Sequence, residues 1–146
     1  RELAEVQRRL DWSPRDLHSQ RLEGDGPGNA VVLAVESKAV TTVASAIGSR
    51  GVRAERVAQR ACERLAVVLD HDVPVDEHTA DQLLIPIALA GGGSFTTVAP
   101  TLHTRTNAAV IERFLPMKIG LEDQGRGRWR VYADAVAPAR QSCGTL

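Results

Sequence analysis

Val75–Pro116 reads VDEHTADQLLIPIALAGGGSFTTVAPTLHTRTNAAVIERFLP, and this stretch decides the fold. Asp76 stands where an N-cap would, with Val75 before it in the position of a hydrophobic staple, so a helix is predicted from there to about Ala90. Gly91-Gly92-Gly93 closes that helix in a tight turn. Phe95 to Val98 then reads as a strand, and Thr104 to Leu115 as a second helix that Pro116 stops. Beyond it, Met117–Glu122 and Trp129–Tyr132 form a predicted hairpin across Gly125-Arg126-Gly127. Helices and strands therefore share one segment, and the class is α/β.

The same stretch gathers the polar residues that could do chemistry. On a helical wheel at about 100° per residue, Ala80, Leu83, Leu84 and Ile87 cover one face. His78, Asp81 and Gln82 fall on the other, at i, i+3 and i+4. A carboxylate beside an amide suits a metal ion or a phosphate-bound water, since one supplies charge and the other a directed hydrogen bond. An ordinary solvated face is the competing reading. Ile85 on that side and Pro86, which frees the Gln82 carbonyl, count against it. His103 lies between threonines at the mouth of the second helix, where backbone N–H groups favour anions. Arg105 adds a fork of donors suited to phosphate. A neutral imidazole at pH 7 can attack an activated phosphorus, so His103 is either a functional nucleophile or a structural or capping histidine. The glycine run matches neither the Gly-x-x-x-x-Gly-Lys nor the Gly-x-Gly-x-x-Gly pattern. Zinc is disfavoured, because His18, His71, His78 and His103 are widely spaced and neither cysteine pairs with them at ligand spacing.

The preceding half is plainer. Arg1–Leu10 has Leu3, Val6 and Leu10 at helical spacing but no capping residue, as expected of a piece cut from a longer chain. Leu17–Leu22 reads as a short strand, Gly24–Gly28 as a turn, and Val31–Val35 and Val40–Ile47 as two further strands. Val52–Leu69 is an amphipathic helix whose other side carries Arg53, Arg56, Arg60 and Arg64. That side is either solvated or a ridge for RNA. The polar break Asp70–Pro74 marks a domain boundary, and from Asp134 onward a flexible tail is expected. With 43% apolar residues but only 3% aromatic, the core must be aliphatic. A net charge of zero argues against a broad nucleic-acid surface. No run is long enough to span a membrane. Cys62 and Cys143 read as reduced, intracellular thiols.

The run Val75–Ala90, followed by Gly91-Gly92-Gly93-Ser94-Phe95-Thr96, His103-Thr104-Arg105-Thr106-Asn107 and Val110–Pro116, closely resembles the carboxy-terminal part of the RNA 3'-terminal phosphate cyclases. The likeness extends more loosely from Trp12 to about Ile119, and several separated motifs occur in the family's order. It implies that His103 is adenylylated by ATP. The AMP would pass to an RNA 3'-terminal phosphate, and the neighbouring 2'-hydroxyl would displace it to leave a 2',3'-cyclic phosphate. It implies that Asp81 lies beside a divalent cation, Mg or Mn, and the triphosphate, with Gln82 next to it. His78 falls where bacterial relatives often carry a tyrosine near the adenine. This is a departure, although an imidazole could also stack there. Arg105 would contact phosphate.

The resemblance also implies an α+β sandwich architecture. Residues 1–72 would be most of a small thioredoxin-like insert domain. Residues 73–133 would end a cyclase body built of repeats of two helices on a four-stranded sheet, and 134–146 would be the tail. The expected partners are RNA 3'-phosphate ends and an amino-terminal half that supplies the other ligands, without which this chain would be inactive. The expected setting is the cytoplasm, with no membrane. Two rivals stand beside this cytoplasmic ligase: a cyclase-like protein without catalysis, serving RNA processing or ribosome assembly, and a small α/β binding or scaffold domain. The first should lack the nucleophilic histidine, and His103 is present.

Overall fold

A computed structural model describes residues 1–23, 26–38 and 40–136. They form four helices and two small antiparallel sheets, a mixed α+β fold. The chain divides into two compact units, Arg1–Asp70 and a second beginning at His71.

In the first unit, α1 (Glu2–Leu10) and α2 (Ala54–Asp70) pack together and against a hairpin of β1 (Ala30–Glu36) and β2 (Thr41–Ile47). The strands pair from Ala30 opposite Ile47 to Glu36 opposite Thr41. Side chains alternate across a strand, so one face of the hairpin buries Val31, Leu33, Ala44 and Ala46. Against it α2 buries Val57, Ala58, Ala61, Cys62, Leu65 and Val68, the stripe expected from its periodicity. Val6 of α1 completes this aliphatic core. Cys62 is free, and burial raises its thiol pKa. One expectation fails. Leu17–Leu22 is not a strand; a single 3₁₀ turn at Pro14–Asp16, capped by the Ser13 side chain, leads into irregular chain. The segment has apolar residues only at its two ends, Leu17 packing on the core and Leu22 largely exposed, so it has no alternating face to bury.

In the second unit, α3 (Glu77–Leu89) and α4 (Leu102–Phe114) lie side by side. They cover a sheet in the order β3 (Gly92–Thr97), β5 (Trp129–Ala135), β4 (Met117–Asp123). Leu84, Ala88, Ala108 and Ile111 from the helices meet Met117, Ile119, Val131 and Ala133 from the sheet. Asp76 caps α3, its Oδ1 accepting from the Thr79 N–H at 2.6 Å. The buried Thr97 side chain donates to the Val75 carbonyl at 2.9 Å and so ties the entry of α3 to the end of β3. Three boundaries differ from expectation. The glycine run is more than a turn: Gly92 and Gly93 already belong to β3, opposite Asp134 and Ala133. The second helix starts at Leu102 rather than Thr104, because Thr101 caps it by accepting from the Thr104 N–H. Asp134 and Ala135 are strand residues rather than tail. The remainder of the expected tail, with Cys143, lies outside the described residues. Among the described residues, no helix is long and apolar enough to cross a membrane.

Candidate functional site

α3 and α4 carry all five residues singled out from the sequence. His78, in the first turn of α3, is exposed, with Nε2 3.6 Å from Glu77 Oε1. Gln82, one turn on, is exposed too. Asp81 is half-buried and turns toward α4, where the side-chain amide of Asn107 donates to it. Asn107 Nδ2 lies 3.2 Å from the Asp81 main-chain carbonyl and 3.2 Å from its Oδ1. Among the described residues, no cation pairs with this carboxylate.

His103 is the second residue of α4 and is exposed, while its neighbour Thr104 is fully buried and hydrogen-bonded to Thr101. The two threonines thus build the helix start and leave the imidazole outside. The first-turn amides of a helix have no intrahelical acceptor and favour an anion, and His103 belongs to that turn. Residues four apart on a helix lie one above the other, so Asn107 continues the His103 side of α4. The structure in this way links the helix that carries His103 to the carboxylate of Asp81.

Arg105 is not part of that grouping. Two positions along a helix amount to a turn of about 200°, and the Arg105 guanidinium lies over the Trp129 ring, 5.3 Å from its centroid. Trp129 stands at the end of β5, opposite Thr97. Asn107 and Trp129 were both given no role from the sequence. The spacing of Asn107 four residues after His103 was the available signal for one; Trp129 became visible only through sheet pairing. Among the described residues, no three His, Cys, Asp or Glu side chains are grouped to hold a metal ion. Asp81, whose Oδ2 accepts no hydrogen bond among the described residues, could supply a single carboxylate ligand to a divalent cation.

In the first unit, Arg56, Arg60 and Arg64 of α2 and Arg53 just before it are all exposed. Arg64 donates to the Ser45 carbonyl and Arg53 lies 3.7 Å from Glu55. Arg56 and Arg60 border a shallow concavity with Glu5 and Gln59.

Residues 6–121 match the protein family described as RNA 3'-terminal phosphate cyclase. An RNA 3'-terminal phosphate cyclase of Pseudomonas aeruginosa (strain UCBPP-PA14) is 42% identical over 132 residues, 90% of this chain and 39% of that protein. One from Ectopseudomonas mendocina (strain ymp) is 46% identical over 120 residues, 82% of this chain and 35% of the relative. One from Koribacter versatilis (strain Ellin345) is 44% identical over 99 residues, 68% of this chain and 28% of the relative. The chain thus spans roughly a third of the length of the curated relatives it matches.

Proposed function

The chain belongs to the RNA 3'-terminal phosphate cyclase family, and from that membership we propose that it is a segment of an enzyme converting RNA 3'-terminal phosphates into 2',3'-cyclic phosphates with consumption of ATP. The supporting observation is the pairing of α3 with α4: an exposed imidazole on the first turn of α4 and, one turn on, an amide that grips a half-buried carboxylate on α3. Nucleophile and charge-bearing group belong to neighbouring helices of one packed unit.

In this reading a ring nitrogen of His103 attacks the α-phosphorus of ATP. An N–P bond forms, the α–β phosphoanhydride breaks, and pyrophosphate leaves. The AMP then moves to an oxygen of the RNA 3'-phosphate, and the imidazole departs as a good leaving group once reprotonated. The adjacent 2'-hydroxyl attacks the activated phosphorus, closes the cyclic phosphate and releases AMP. Each transfer replaces one poor displacement by an easier one. The α4 N-terminus favours the phosphate beside His103. Asp81 would hold a divalent cation, which offsets phosphate charge when bound. His78 and Gln82, exposed on the same side of α3, would border the nucleotide. Arg105 would reach phosphate only by leaving Trp129 or by using the edge of its guanidinium.

We read residues 1–72 as most of a thioredoxin-like insert and 73–133 as the end of the cyclase body. Its two helices rest on three described strands, and the fourth strand of a repeat would come from outside them. The remaining triphosphate ligands would come from an amino-terminal portion, so the 146 residues alone should be inactive. RNA ends and ATP meet inside the cell, and we place the activity in the cytoplasm.

The test is labelling of the full-length protein with α-labelled ATP and a divalent cation. We expect an acid-labile, alkali-stable protein–AMP adduct that His103→Ala reduces by roughly two orders of magnitude or more. Undiminished labelling of H103A would remove His103 from the reaction.

A further inference from the structure

We infer that Asn107 is a positioning residue that aims the Asp81 carboxylate at a divalent cation, a role resting on the function proposed above. Asparagine is a poor helix former, because its side chain competes for backbone hydrogen bonds. Asn107 nevertheless occupies the interior of α4, and Asp81, of similarly low propensity, the interior of α3. Each is half-buried where the two helices meet. The core beneath is aliphatic and does not call for either. The pair therefore sits against local preference on both helices, which marks a requirement other than helix stability.

The geometry says what that requirement is. Donation at 3.2 Å to both the Asp81 carbonyl and Oδ1 fixes the carboxylate relative to its own backbone. Oδ1 is occupied, and Oδ2 accepts no hydrogen bond among the described residues. A lysine or arginine in place of Asn107 would orient the carboxylate equally well but would neutralise it. A neutral amide orients the group and leaves its charge for a cation. Groups that hold a metal ligand in place commonly change metal affinity or activity about 10- to 100-fold when removed. Asn107 also stands one turn from His103, so the same contact fixes the nucleophile's helix against Asp81.

The experiment titrates Mn²⁺ into the full-length protein, reading bound metal by electron paramagnetic resonance alongside His103 adenylylation, and compares wild type, Asn107→Ala and Asp81→Ala. Alanine is the strongest helix former, so Asn107→Ala favours α4 itself. The half-saturating Mn²⁺ concentration should rise about 10-fold or more in N107A, with most of the labelling recovered at high Mn²⁺. A purely structural role would lower the melting temperature or the labelling at every concentration alike, with an unmoved midpoint, and that result overturns the proposal. If N107A does not fold, Asn107→Ser must give the same shift, and an unshifted serine variant overturns it equally. Should D81A titrate like wild type, the reading of Asp81 falls and this proposal with it. A shift in D81A without one in N107A removes Asn107 alone. Absence of any adduct in wild type, or full labelling of H103A, instead marks failure of the proposed function.

Discussion

Gly92 has a φ of 146° and Gly93 one of 153°, in a region that residues with a side chain rarely adopt. A Cβ on Gly92 would also lie 3.1 Å from the Ala133 carbonyl of the adjacent strand. Gly92→Ala should therefore lower stability by about 1–3 kcal/mol. Gly28→Ala, in open space without a positive φ, should leave the denaturant midpoint unchanged; equal midpoints for both variants would contradict this reading. The glycine run was legible as a helix end but not as the start of β3, because its pairing is set by Ala133 and Asp134, far along the chain. The same holds for the site. His103 and Asp81 stand out by type and helical spacing, whereas the hydrogen bonds between Asn107 and Asp81 depend on how α3 and α4 pack.

α2 was readable to within two residues from its strong apolar period, since burial of a stripe is what stabilises it, whereas α3 was readable from its Asp76 cap and the glycines after it. Leu17–Leu22 was misread because two terminal leucines do not make an alternating face. Electrostatics within an element add a pH dependence. In α1, Glu5 accepts from Arg8 through both carboxylate oxygens and also from Arg9. Those hydrogen bonds with Arg8 and then Arg9 lower its pKa from 4.5 to about 2. A carboxyl whose folded pKa lies below its unfolded value stabilises the fold above the unfolded value and loses that contribution as pH falls through the folded one. Glu5→Gln should thus be less stable than wild type near neutral pH, and the difference should close as pH drops from 4.5 to 2. Thermal midpoints measured across that range check it; a constant gap would contradict the assignment. Glu112 is depressed in the same direction, chiefly by the Ile119 N–H, which ties α4 to β4.

At the scale of the whole molecule, two compact units share the chain, and the residues proposed for chemistry all fall in the second. A polar break precedes it in the sequence and its helices show core faces, whereas how those helices pack on the sheet was not legible. In the proposed function, what these residues would contribute to phosphate binding is small. One imidazole, one helix start and one carboxylate do not orient a triphosphate for in-line attack. The proposed function therefore turns on where AMP would become attached in the full-length protein. The most direct measurement is peptide mapping of that protein after incubation with ATP and Mn²⁺, digested and kept at alkaline pH to preserve a phosphoramidate. AMP on the peptide that carries His103, at the imidazole, is the predicted result. AMP on a lysine such as Lys118, on another histidine, or on no residue at all would contradict the account.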